Sequence, residues 1–219
     1  MRVGVVVFPG SNCDRDCAHV LSLVGATPEF VWHRDTDLSH LGAVVLPGGF
    51  SYGDYLRCGA VAKISPVMSA VREFAAAGRP VIGICNGFQI LVESELLPGA
   101  LMRNESLSFQ CKDVDLRVES TATAFTAGFE PGTELRLPIA NAEGNYTIDE
   151  RGLAELEEHG QVVLRYQNNP NGSVGDIAGI SNRQGNVVGM MPHPERASES
   201  RLGNAVGRTF FESVLNFVS

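Results

Sequence analysis

An open, mostly parallel α/β sheet with helices on both faces, extended by antiparallel strands, is the fold class this 219-residue sequence predicts. Three observations carry that expectation. Continuous apolar runs of strand length stand at 3–8, 42–46 and 81–84, each followed by a glycine-bearing turn, as in strands buried on both faces. Segments with helical spacing lie between them. Beyond residue 101 the pattern changes to alternation of apolar and polar residues, the mark of half-exposed antiparallel strands.

The first strand, 3–8, runs into Pro9-Gly10-Ser11-Asn12, where Ser11 or Asn12 is the expected N-cap of a helix. That helix buries Cys17, Val20, Leu21 and Val24 and stops at Gly25. A second strand is expected at 30–33 and a third at 42–46, ending abruptly in Pro47-Gly48-Gly49-Phe50. Ser65-Pro66 reads as an N-cap followed by proline in the first helical position, opening a helix with Val67, Val71, Phe74 and Ala75 inward and Gly78 as its end. Strand 81–84 follows, then a sharp turn at Cys85 and a helix to about Leu96, with Pro98-Gly99 beyond. Antiparallel strands are expected over 106–119 and 133–140. A short acidic helix at 150–159 leads to a strand at 162–166. Residues 168–173 are a loop by composition. Strands 177–181 and 186–191 form a hairpin about Arg183-Gln184-Gly185, and a last helix from about Gly203 carries Val206, Phe210, Val214 and Phe217 on one side. Nothing resembles a repeat or linker, so one domain over 1–219 is expected.

Composition bounds the function. A hydrophobic fraction of 44% with 19% charged residues is that of an ordinary globular protein. A net charge of −8 argues against nucleic acid or an anionic membrane as partner. No apolar run approaches the ~20 residues of a membrane span, and the N-terminus reads as a strand rather than a signal peptide. Five irregularly spaced cysteines fit reduced thiols in the cytoplasm better than a disulfide framework. Cys13 and Cys17 could share a helix face, but no second Cys/His pair completes a zinc set, and no metal is expected.

The chemistry centres on Gly83-Ile84-Cys85-Asn86-Gly87. Gly-x-Cys-x-Gly between strand and helix is the pattern of a nucleophile elbow with cysteine in place of serine. The turn is so tight that side chains two residues either side of the nucleophile would collide with neighbouring backbone. The free N–H groups opening the helix favour the thiolate. Taken alone, the bland alternative is that Cys85 is a buried structural thiol at the end of a core strand. Its expected partners lie 108 residues on, where a strand runs into Pro192-His193-Pro194-Glu195. With prolines holding the backbone extended, Glu195 points the same way as His193 and orients it as base for Cys85. The Asn86 N–H and the Pro47–Phe50 loop are the expected oxyanion donors. The other histidines, at 19, 33, 40 and 159, read as structural.

With these motifs assembled, the chain resembles the class I glutamine amidotransferases, in a Pro-Gly-Gly loop, then Gly-x-Cys-x-Gly-x-Gln, then His-Pro-Glu. Phe8-Pro9-Gly10-Ser11-Asn12-Cys13-Asp14, Cys85-Asn86-Gly87-Phe88-Gln89 and Asn169-Pro170-Asn171-Gly172-Ser173 are closest to one branch. That branch supplies ammonia to the synthetase converting formylglycinamide ribonucleotide to formylglycinamidine ribonucleotide in purine biosynthesis. The resemblance implies a flavodoxin-like class I glutaminase fold, with Cys85, His193 and Glu195 as triad and Gly49 and Asn86 as oxyanion donors. It implies further that Gln89, with Gly48 and Phe50, holds substrate L-glutamine. It also implies a synthetase partner of the PurL type, carrying ATP and magnesium, and a small accessory subunit of the PurS type. No cofactor is expected on this chain, which shows no Gly-x-x-x-x-Gly-Lys-Ser/Thr pattern. The competing reading is a stand-alone cysteine hydrolase or peptidase of a related α/β fold. One departure stands at 139–144, Ile-Ala-Asn-Ala-Glu-Gly, where relatives often carry histidine at the position of Asn141.

Overall fold

In the computed structural model, which describes residues 1–217, the apolar runs of the N-terminal half become the parallel part of one nine-stranded sheet. The strands and helices are β1 (Arg2–Val7), α1 (Asp14–Leu23), β2 (Thr27–Trp32), β3 (Ala43–Leu46), α2 (Pro66–Ala76), β4 (Val81–Ile84) and α3 (Asn86–Glu93). There follow β5 (Ala100–Met102), β6 (Gln110–Val118), β7 (Glu134–Asn141), β8 (Asn145–Thr147), α4 (Glu150–Glu158) and β9 (Val162–Tyr166). The chain continues through β10 (Ile177–Ser181), β11 (Val187–Met190) and α5 (Arg208–Phe217). The sheet order is β2-β1-β3-β4-β11-β10-β9-β6-β7. Pairing is parallel from β2 to β11 and antiparallel from there to β7. The mixed sheet expected from the change of pattern at residue 101 is therefore present.

Every residue of β3, β4 and β11 is buried, as strands covered on both faces should be. In β7 burial alternates along the strand, because one face is wet. The register that matters most pairs β4 with β11, Ile84 opposite Met190. Both strands run the same way, so the residues that follow them, Cys85 and Met191 to His193, leave the sheet at the same edge.

Several boundaries differ from those expected. Helix α1 is capped by Cys13, not Ser11 or Asn12. Residues 9–12 are drawn away to the Gly-Gly loop: Ser11 forms a bridge with Gly49, and the Asn12 and Cys13 N–H groups both donate to the Gly48 carbonyl. Ser65 does precede α2, but its hydroxyl meets the Tyr52 hydroxyl at 2.8 Å instead of capping the helix. β2 begins at Thr27, and tolerates Pro28 because it is an edge strand. α3 ends at Glu93; Glu95 turns left-handed (φ 60°), and the Leu96 N–H closes back on Leu91. α5 starts only at Arg208 and leaves Phe217 exposed. The two-stranded β5–β8 sheet escaped the sequence reading because three residues are too few to show a period. No helix among the described residues is long and apolar enough to cross a membrane.

Candidate active site

Cys85 sits between β4 and α3 with φ 52° and ψ −106°, a conformation a side chain adopts only when its surroundings enforce it. The enforcement is visible on both sides. The Cys85 N–H is held by the Met190 carbonyl at 2.7 Å, and its carbonyl accepts from the Gln89 N–H at 3.1 Å. A Cβ on Gly83 would lie 2.5 Å from the Gly87 carbonyl oxygen, and one on Gly87 would lie 1.9 Å from that of Leu46. These glycines let α3 descend onto β3, as the elbow requires.

The edge shared by β4 and β11 brings His193 to the same place. Its N–H donates to the Pro138 carbonyl at 2.8 Å, tying it to β7, and its Nδ1 meets Glu195 Oε1 at 2.6 Å. The pairing of His193 with Glu195 is as expected, but the reason differs. Pro194–Ala197 is a 3-10 turn, not an extended segment, and it is this turn that swings Glu195 back beneath the imidazole. Among the described residues, His193 Nε2 and Glu195 Oε2 are buried without a partner. Burial is the largest single influence on the His193 imidazole and works against its charge, but the Glu195 carboxylate, Cys85 and Cys13 together outweigh it. The net effect lifts His193 well above the ordinary histidine value.

Gly48 and Gly49 line this edge. A Cβ on Gly48 would stand 2.7 Å from His193 Cε1 and 3.5 Å from Cys85 Cβ, so the backbone passes against both. Gly49 has φ 142°, and a Cβ there would meet the Asn12 nitrogen at 2.6 Å. Among the described residues, neither the Gly49 nor the Asn86 N–H has a backbone acceptor. The Cys85 thiol donates weakly to the Ala140 carbonyl, 3.7 Å away. Gln89 is buried, its Nε2 donating to the Glu143 carbonyl at 2.8 Å and its Oε1 accepting from Asn86 Nδ2 at 2.9 Å. Phe50 stands half exposed at the rim.

One site residue escaped the sequence reading. The spacing puts Cys13 with Cys17 on a helix face, yet its Sγ, a ring nitrogen of His193 and a carboxylate oxygen of Glu195 lie within 4.8 Å of one another. Arg196 Nη2 donates to this sulfur at 3.0 Å. Only the departure of residues 9–12 toward the Gly-Gly loop turns Cys13 inward, and no spacing in the sequence encodes that. Two histidines also have acidic neighbours that sequence proximity did not show: His19 meets Glu199 at 2.8 Å and His40 meets Glu29 at 2.7 Å, both on the surface.

A thiol in an elbow, a buried histidine–carboxylate pair and two close-approaching glycines fit amide hydrolysis through a thioester. The model of the CobB/CobQ-like glutamine amidotransferase domain matches residues 1–212. The chain belongs to the glutamine amidotransferases. It is 57% identical over 220 residues to the phosphoribosylformylglycinamidine synthase subunit PurQ of Nostoc, covering 100% of this chain and 98% of that one. The PurQ subunit of Rubrobacter xylanophilus is 58% identical over 215 residues, 98% of each chain. Among solved structures, PurLQS from Thermotoga maritima superposes with a TM-score of 0.92 at 48% identity, covering 100% and 99% of the two chains. A glutamine amidotransferase from Thermotoga maritima, 16% identical with a TM-score of 0.65, covers 100% of this chain and 97% of its own and shares the fold.

Proposed function

We propose that this chain is the glutaminase subunit of a phosphoribosylformylglycinamidine synthase. It hydrolyses L-glutamine to glutamate and ammonia, and a partner synthetase uses the ammonia to convert formylglycinamide ribonucleotide to formylglycinamidine ribonucleotide. The observation that carries the reading is Cys85, strained in its elbow at the same sheet edge as the buried His193–Glu195 pair.

In the reaction, the Cys85 thiolate attacks the side-chain amide carbon of glutamine and a carbon–sulfur bond forms. The oxyanion is received by the N–H groups of Gly49 and Asn86, each donor worth about 10²–10³ in rate. His193, kept protonated by Glu195 beneath it, gives its Nε2 proton to the departing nitrogen; the carbon–nitrogen bond breaks and ammonia leaves. The neutral imidazole then takes a proton from water, whose oxygen attacks the thioester. The carbon–sulfur bond breaks, glutamate departs, and the Cys85 thiolate and protonated His193 are restored. Gly48, Phe50 and Gln89 hold the amino-acid end of the substrate.

The ammonia is consumed on a synthetase of the PurL type with an accessory subunit of the PurS type, and ATP and magnesium act there. The match to a chain of PurLQS supports this assembly. We place the reaction in the cytoplasm, which the five free cysteines support. The test is glutamate release with and without the synthetase, after titration with an alkylating glutamine analogue. Labelling confined to Cys85, with stimulation by the synthetase, is the expected result. A Cys85→Ala variant that still hydrolysed glutamine, or cleavage of peptides but not glutamine, would overturn it.

A further inference from the structure

The Asn169-Pro170-Asn171-Gly172-Ser173 cluster takes no part in the chemistry above, yet its central side chain is completely buried. Asn169 shapes the turn, its Oδ1 accepting the N–H groups of Asn171, Gly172 and Ser173 at 3.2, 2.9 and 3.2 Å. The turn drives Asn171 inward, where its Nδ2 donates to Asn104 Oδ1 and Asn141 Oδ1, each at 2.7 Å. Asn104 Oδ1 also accepts the Gly144 N–H at 2.9 Å, and its Nδ2 donates to the Asn141 carbonyl at 2.9 Å. Together these bonds clamp the turn after β7.

From that turn the bonding continues to the catalytic edge. The Glu143 carbonyl holds Gln89 Nε2, Gln89 Oε1 holds Asn86 Nδ2, and Asn86 Oδ1 accepts the Ser51 N–H at 3.1 Å. Ser51 lies two residues beyond Gly49, and Asn86 is the residue after the nucleophile. The path therefore ends on the two segments whose N–H groups face the oxyanion. All five carboxamides are buried.

Stability does not explain such a path. Burying five carboxamides carries a desolvation cost that apolar side chains would avoid, and Asn141 Nδ2 and Asn171 Oδ1 remain without partners among the described residues. What the path supplies is fixed geometry. We infer that Asn171, Asn104, Asn141, Gln89 and Asn86 form a positioning relay that sets the distance between the Gly49 loop and the Asn86 N–H. Asparagine at 141 is part of this device, since its Oδ1 receives Asn171. The inference rests on the glutaminase reading for its kinetic consequence, but not for its structural one.

Two variants test it in the assembly with the synthetase: Asn171→Ala, and Asn86→Asp, which keeps the Ser51 acceptor but loses the donor to Gln89 and to Asp54 Oδ1, leaving a carboxylate against Asp54. Each should lower kcat roughly tenfold or more, as a misplacement of under ~1 Å can. In Asn171→Ala KM should stay within about threefold, because Asn171 does not touch the substrate. The double variant should be no slower than the worse single one, since a broken relay cannot be broken twice. In Asn171→Ala, amide hydrogen exchange over residues 48–52 should quicken while iodoacetamide labelling of Cys85 keeps the parental rate. Losses that multiply in the double variant, or unchanged exchange over 48–52 in Asn171→Ala, would overturn the relay. Absence of glutaminase activity in the parental assembly would instead defeat the proposed function, and the exchange measurement would still decide the relay.

Discussion

Gly87→Ala is the most informative single substitution at the elbow. The added Cβ would lie 1.9 Å from the Leu46 carbonyl oxygen, 2.6 Å from its carbon and 2.9 Å from its Cβ. Two of those three atoms are backbone of the central strand β3, which runs directly into Gly48 and Gly49. Restoring ordinary contact demands that α3 and β3 separate by about 1.5 Å, and overpacking of this kind costs ~1–3 kcal/mol. For a chain of this length that lowers the thermal midpoint by roughly 2–12 °C. The catalytic cost is larger in proportion, because Asn86 heads the helix that must move and Gly49 lies just beyond the strand it moves from. A misplacement of about 1 Å between such donors costs on the order of 10²-fold in kcat. The assay is glutamate release in the presence of the synthetase, beside thermal unfolding of the isolated chain. Gly25→Ala serves as control: it carries left-handed strain at φ 84° but meets nothing within 4 Å, so it should cost ~1–2 kcal/mol and no activity. Parental turnover and an unshifted midpoint in Gly87→Ala would refute the packing account of the elbow.

Other outcomes follow from the same geometry. His193 is raised in the folded state, so its protonation stabilises the fold fully below about pH 6.5 and progressively less as pH climbs through the folded value. The stability gap between parental protein and His193→Gln should therefore shrink from pH 6.5 upward in denaturant titrations; a gap that widens would contradict the sign. Cys13→Ala leaves Arg196 Nη2 without its sulfur acceptor and should destabilise by about 1–3 kcal/mol, while Cys13→Ser recovers part of the loss. Thermal midpoints in the order parental, serine, alanine are expected, and equality of the three would remove Cys13 from the account. Tyr55 and Leu56 are 76% and 93% exposed in a loop where Tyr52, Asp54 and Leu56 all adopt positive φ, strain that an isolated chain has no reason to keep. Leu56→Asp should abolish stimulation by the synthetase yet leave iodoacetamide labelling of Cys85 unchanged; retained stimulation would place the docking contact elsewhere. Tyr52 and Arg57 are poorer docking candidates, being engaged by His33 and Ser65 and by Glu93 respectively.

How much of this was legible in the sequence depended on how far each interaction reaches along the chain. The strand at 81–84 and the helix after it are spelled by consecutive residues, and so is the need for Gly83 and Gly87. The His-Pro-Glu site is legible as a composition, but its geometry is not the extended one that the prolines imply: Glu195 reaches His193 through a 3-10 turn that only the packed chain forms. The start of α1 moved from Ser11 or Asn12 to Cys13 because residues 9–12 bond to the distant Gly-Gly loop, whereas α2 opens at Ser65-Pro66 as expected although the Ser65 hydroxyl turns to Tyr52.

Periodicity and turn chemistry, which act over a few residues, determined the parallel core, the elbow and the chemical type of the site. The meeting of Cys85 with His193 was decided by the register of β4 against β11, a hydrogen-bonded alignment of segments more than a hundred residues apart. The inward turn of Cys13 and the carboxamide path from Asn171 to Ser51 were likewise settled only by folding. Each depends on which buried polar atoms come within hydrogen-bonding reach, and a linear pattern carries no distance between segments that meet only in the core.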